Sequence, residues 1–159
     1  MKRPKFTAFF DGCCEPVNPG GTASFGAVVF KDDKRVWECS RIFDSKKGRK
    51  KETSNNVAEY AGFISILDYF IRHNATGERI TVYGDSMLVI RQMFDFPGEQ
   101  RWRIRKGLYV PLAEEAKHKR RPFKNMIGVW IPRDENGIAD ELSKAKLRKA
   151  GVEFRIQPE

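Results

Sequence analysis

Two histidines and three cysteines in 159 residues leave little material for two common kinds of site. Cys13, Cys14 and Cys39 are odd in number and lack metal-ligand spacing, and Cys13 and Cys14 are adjacent, an arrangement that ordinary zinc sites do not use. They read as thiols of a reducing compartment and not as a disulfide framework. No histidine stands beside them in the sequence, so covalent catalysis by a Cys–His or Ser–His pair finds no support. His73 and His118 read as exposed helix residues. Long apolar runs are also missing. Nothing approaches the roughly 20 residues of a membrane-spanning helix, and the start MKRPKF lacks the apolar stretch and small-residue cleavage site of a secretory leader. A cytoplasmic protein without a membrane partner is expected. There is no internal repeat, no low-complexity linker and no sign of a second domain, so residues 1–159 are read as one domain, with nothing to suggest more than a monomer. A chain of this length buries about two-thirds of its unfolded surface without disulfides or metals.

Acidic residues are the minority charge: 21 Asp and Glu stand against 30 Lys and Arg, for a net +9. That balance raises the expectation of a polyanionic partner. The basic residues are clustered. Five of the six residues from Lys46 to Lys51 are basic, Arg101, Arg103, Arg105 and Lys106 surround Trp102, and a third group runs Lys117, Lys119, Arg120, Arg121, Lys124. Taken singly, each cluster is equally readable as a solvated face.

KFTAFFDG is a β-rich run closed by a turn signal at Asp11-Gly12 and the loop CCEPVNPGG. TASFGAVVF and RVWECSRIF follow as two strands around the polar turn KDDK, giving an antiparallel meander of three. A helix is expected from about Asn56 to His73, with Glu59, Phe63, Ile66 and Phe70 on one face. RITVYGDS reads as a strand ending at an aspartate, MLVIRQMF as a short helix and LYVPLAEEAKHK as a longer one with Pro111 in its first turn. NMIGVWIP gives a last strand, and Asn136 caps a final helix that Gly151 ends. The fold class is therefore α/β: a mixed five-stranded sheet, three antiparallel strands and then parallel ones, flanked by helices.

Four acids occupy strand ends or helix starts: Asp11, Glu59, Asp85 and Asp140. Such positions converge at one edge of an α/β sheet, where ligands bind. Each also has a local reading: Asp11-Gly12 as a turn, Glu59 as the return half of a capping box with Asn56, Asp85-Ser86 as a helix cap, and Asp140 as a charge favoured near a helix start. Four converging carboxylates repel one another unless cations sit among them. All-oxygen ligands suit hard ions, Mg²⁺ above all and Mn²⁺ as a substitute. Two such ions about 3.5–4 Å apart stabilise both the attacking and the leaving oxygen of a phosphoryl displacement.

FFDGCCEPVNPGG, SNNVAEYAG, VYGDS and WIPRDENGIADELS, in that order and over nearly the whole chain, resemble the type 1 ribonuclease H pattern. The resemblance implies a ribonuclease H-like sheet and two-metal endonucleolytic hydrolysis of the RNA strand in RNA–DNA hybrids, leaving 5′-phosphate and 3′-hydroxyl ends. It carries the metal-binding, catalytic acids onto Asp11, Glu59, Asp85 and Asp140, with Glu59 also reaching a ribose 2′-hydroxyl, a contact that distinguishes RNA from DNA. Asn18, Asn55 and Asn56 match amide positions that contact the hybrid, and Gly12, Cys13 and Cys14 would present backbone groups to the RNA. The sequence departs from the pattern in two places. The loop before the last acid, IPRDEN, has no histidine and resembles the archaeal and plant-like version, so Arg133 is the expected phosphate or leaving-group contact there. No plain basic protrusion is present. Its place is held by DFPGEQRWRIRKG, where Trp102 either packs on the DNA strand or fills the core. Two other readings stay open: a binding module that has lost catalysis, and a different nuclease of the same superfold such as a junction resolvase or proofreading exonuclease.

Overall fold

The computed structural model describes residues 3–43 and 53–154. Its sheet is built from β1 (Lys5–Glu15), β2 (Thr22–Lys31), β3 (Lys34–Ile42), β4 (Arg79–Gly84) and β5 (Met126–Trp130), in spatial order β3-β2-β1-β4-β5. The first three strands pair antiparallel, while β1–β4 and β4–β5 are parallel. The four α-helices are α1 (Asn55–Arg72), α2 (Met87–Met93), α3 (Val110–Arg120) and α4 (Gly137–Lys149), and a 3₁₀ turn covers Arg133–Glu135. The expected α/β class, with a mixed five-stranded sheet antiparallel in its first three strands and parallel after, is that observed. No helix among the described residues is long and apolar enough to cross a membrane.

Alternation builds the core. Phe6, Ala8 and Phe10 of β1, with Ala27 and Val29 of β2, turn one face inward, and α1 covers it with Tyr60, Phe63, Leu67 and Phe70. Phe6 meets Phe70 edge-on at 5.3 Å between ring centroids, and Phe10 meets Phe63 at 5.7 Å. The KDDK hairpin closes with both central residues left-handed, Asp32 at φ 47° and Asp33 at φ 69°, as a two-residue turn between twisted strands demands.

Three local expectations are corrected. Asp11-Gly12 is not a turn: β1 continues to Glu15, because antiparallel pairing to β2 runs on through Glu15↔Thr22 after parallel pairing to β4 stops at Phe10↔Gly84. Ladder bonds on one side are enough to override a local turn signal. The capping box is not formed either. Ser54 is the cap of α1, accepting from the Val57 amide at 3.1 Å, and Glu59 is buried. Asn136 stands at the start of α4, but its side chain makes no helix cap; its amide donates instead to the Phe10 carbonyl at 2.9 Å, tying α4 to β1 beside Asp11. Gly151 ends α4 in the left-handed region, as expected.

Candidate active site

The loss of β4 as a neighbour at Phe10 leaves Asp11 as the first residue of β1 beyond the parallel ladder, and Asp85 directly follows β4. Glu59 arrives from α1, which rests almost directly on the strand. A Cβ at Gly12 would lie 2.3 Å from the Glu59 amide nitrogen and 2.4 Å from the Ala58 carbonyl carbon, so only glycine permits this approach. The result is a cluster in which carboxylate oxygens of Asp11, Glu59 and Asp85 lie within 4.8 Å of one another. Asp11 is 4% exposed and Glu59 5%.

Burial with little compensation defines this cluster: the Gly12 amide donates to an Asp11 oxygen at 2.9 Å. Desolvation, then the neighbouring Asp85 charge, pushes the Asp11 carboxyl up to about 8. Glu59 is raised well above the usual carboxylate range by burial and then by Asp11, and Asp85 is raised by burial, with Arg133 acting in the opposite direction. One Glu59 carboxylate oxygen is buried with no hydrogen-bond partner among the described residues. Such an atom loses its hydration for nothing unless a cation takes it up. The donors are all hard oxygens, so the cluster fits a divalent metal.

Asp140, in the first turn of α4, lines the same cavity of about 900 Å³ but does not join the three-acid cluster. Lys144, one turn on, lies 3.2 Å from one of its oxygens, and Arg133 lies 3.8 Å from the other. Gly12, Cys13, Asn55, Asn56 and Arg133 also line this cavity. Three expected contacts stand apart from it. Asn18 spends its side-chain oxygen accepting the Asn55 amide at the start of α1, at 2.9 Å. Cys14 is buried with its thiol on the Val17 carbonyl. Trp102 is 48% exposed on the loop after α2, which removes its reading as core. That loop is anchored: Gln92 donates to the Arg103 carbonyl at 3.0 Å, and the Trp102 amide donates to Arg91 at 2.9 Å. His73 and His118 are exposed, and no disulfide joins the three cysteines. The Lys46–Lys51 cluster falls outside the described residues.

Two participants escaped sequence reasoning. Lys144 was signalled by its four-residue spacing from Asp140. Trp130 gave no local signal; its indole N–H donates to the Asp85 carbonyl at 3.1 Å, fixing the strand end that carries the acid.

Residues 9–146 match the family model described as reverse transcriptase-like. The Bifunctional protein Rv2228c of Mycobacterium tuberculosis is 32% identical over 133 residues, 84% of this chain and 33% of that protein, so the chain spans about a third of the length of the curated relatives it matches. The N-terminal RNase H domain of Rv2228c, solved as a fusion with maltose-binding protein, superposes with a TM-score of 0.73 at 33% identity over 92% of this chain and 96% of that one. LC11-RNase H1, isolated from compost and solved in complex with an RNA/DNA hybrid, gives 0.75 at 26% identity over 91% and 98%. RNase H1 of the archaeon Halobacterium salinarum gives 0.66 at 25% over 91% and 98%. With its sheet order, its three-acid cluster and these likenesses together, the chain belongs to the reverse transcriptase-like family and has the type 1 ribonuclease H fold.

Proposed function

We propose that residues 1–159 form a single ribonuclease H domain that cuts the RNA strand of RNA–DNA hybrids, leaving a 5′-phosphate and a 3′-hydroxyl. The observation that carries this is the cluster of buried Asp11, buried Glu59 and half-buried Asp85, with a Glu59 oxygen left without a hydrogen-bond partner among the described residues at the floor of the cavity. A solved relative bound to an RNA/DNA hybrid supports the substrate class.

Asp11, Glu59 and Asp85 would hold Mg²⁺, with Mn²⁺ as a substitute, and Asp140 would complete the site for a second ion. The ions would supply acidification of the attacking water and charge neutralisation at the phosphate. Everything else falls to the chain's own groups. Asp140 is paired with Lys144 at 3.2 Å and Arg133 at 3.8 Å, and would exchange these partners for the ion. Arg133, 70% exposed at the rim, can follow the scissile phosphate or the departing 3′-oxygen, since its planar fork matches a phosphate edge. Asn55 and Asn56, at the start of α1, offer amides to the hybrid from the cavity wall. Glu59 on the floor is placed to read a ribose 2′-hydroxyl, which DNA lacks.

The test is cleavage of an end-labelled hybrid with Mg²⁺ or Mn²⁺, beside duplex RNA, duplex DNA and the Asp85→Asn variant. Cutting confined to the hybrid and lost in the variant is the expected result. Binding without cutting in either metal would leave a nucleic-acid binding module, and cutting of duplex DNA would point to another nuclease class.

A further inference from the structure

A second cavity, of about 570 Å³, opens between the end of α2 and the end of α3. Five of its lining residues are cationic, namely Arg101, Lys117, Arg120, Arg121 and Lys124, and Asp95 is the only acid. Two of the five are already engaged. Arg101 forks onto Asp95 at 2.6 and 3.0 Å. Arg120 packs over the Phe94 ring and donates to the Phe123 and Met126 carbonyls, each at 2.9 Å, which makes it part of the wall. Its Nε is nevertheless buried with no hydrogen-bond partner among the described residues. Lys117, Arg121 and Lys124 are exposed and make no ion pair among the described residues. Lys119, in the same run, turns away to Asp68 and Glu115.

Lys117, Arg121 and Lys124 line this cavity without an ion-pair partner among the described residues, and its one acid, Asp95, is already taken by Arg101, so the lining suits a tetrahedral oxyanion. Its place in the fold narrows the source. β5 begins at Met126, on the wall of this cavity, and ends at Trp130, which braces Asp85 in the acidic cavity. The four residue steps from Met126 to Trp130, at about 3.3 Å each, put the two ends of the strand roughly 13 Å apart. Arg101 on the cavity wall immediately precedes the exposed Trp102. A cationic cavity whose wall runs directly into an exposed aromatic suits a nucleic-acid strand, which offers phosphates to the one and a base or sugar face to the other.

We propose that this cavity binds a backbone phosphate of the nucleic acid outside the stretch being cut, so that the chain grips its substrate at both ends of β5. This rests on the hybrid-cleaving reading above. It implies a substrate-length dependence that the acidic site alone does not have.

The experiment measures binding of two labelled hybrids without divalent metal across a salt series, one of about a single helical turn and one of about three. The wild type is compared with the Lys117→Gln/Arg121→Gln/Lys124→Gln variant and with a Lys117→Arg/Lys124→Arg control that keeps the charge. Arg101 and Arg120 are left alone, and thermal melting checks folding. The triple variant is expected to lose about tenfold or more in affinity for the long hybrid at low salt, with a salt slope shallower by about 2 to 3. Binding and metal-dependent cutting of the short hybrid stay unchanged, and the charge-keeping control behaves as wild type. Equal losses on both lengths, or no loss on either, would overturn the proposal. So would protection of the wild type against melting by inorganic phosphate, lost in the triple variant, with hybrid binding unaffected, because the site would then serve a free anion. If neither hybrid is cut under any condition, the nuclease reading fails, while the length-dependent salt slopes still report on the outer site.

Discussion

The two cavities are opposite in sign and similar in logic. In one, two buried carboxylates and a half-buried third are drawn together, with one oxygen unpartnered among the described residues; in the other, five cations and one carboxylate share a wall, and one of those cations, Arg120, keeps a buried N–H unpartnered among the described residues. They differ in what holds them. The acids sit on β1, just past the end of β4 and in the first turns of α1, where backbone contact holds them close together. Most of the cations stand on the exposed end of α3 and the following turn, on side chains long enough to adjust. Rigid placement suits an ion that tolerates little misplacement, whereas flexible placement suits a polymer backbone that passes through in many registers.

The contrast breaks most sharply at Asp85. Asp85→Asn should reduce hybrid cutting by about a thousandfold or more, since several kcal/mol of charge stabilisation is at stake, while binding of the hybrid without metal stays within a few-fold. A comparable loss of metal-free binding would mean that the acidic cavity grips the substrate as well as cutting it. Gly12→Ala comes next. Its methyl would meet backbone, not a movable side chain, so stability should fall by about 1–3 kcal/mol, readable as a lower melting temperature, and cutting should fall further as Glu59 is displaced. Full activity in this variant would show that the acids do not depend on rigid placement.

The sign of the pH response sharpens the same point. The folded-state value of Asp11 is raised from 3.8 to about 8, so the folded state binds more protons than the unfolded one and stability falls as pH rises. In chelator, the contribution is fully present below about pH 4 and lost through about pH 8. Glu59→Gln should flatten that decline and raise the metal-free melting temperature by a few degrees, at about 2–4 °C per kcal/mol. A melting temperature in chelator that rises with pH over this window would contradict the burial argument. The smallest effect is expected from Trp102→Ala: unchanged melting and hybrid affinity weaker by about 1 kcal/mol, the lower range for a stacking contact. A drop in melting temperature would return Trp102 to a structural role.

Much of this was legible in the sequence where periodicity is long. The Phe63–Ile66–Phe70 stripe located α1, and the antiparallel meander came from the run of three β segments before the first helix, although the position of β1 at the centre of the sheet did not. Three of the four expected acids do converge, and the fourth lines the same cavity. What could not be read depends on partners far along the chain. Asp11-Gly12 looks like a turn until β2 is laid beside it, and Glu59 looks like a capping residue until Gly12 lets α1 descend onto β1. The cluster from Lys117 to Lys124 was visible as charge, but which members face a cavity and which turn to Asp68 is set by the packing of α3 against α1.

The glycines around Asp11 have a mechanical consequence. Gly12 meets α1 on one face of the sheet, and Gly26, paired with Asp11, meets Leu142 and Ser143 of α4 on the other, where a Cβ would lie 2.4 Å from the Leu142 side chain. Gly62 completes the contact from the α1 side, since a Cβ there would lie 3.1 Å from the Asp11 carbonyl oxygen. At these glycines two helices press on opposite faces of a single backbone layer, with no side chain on the strand residues Gly12 and Gly26 to act as a cushion. Displacement of either helix is passed to the other without rotamers to absorb it, so the Glu59 and Asp140 carriers behave as the two jaws of one stiff clamp.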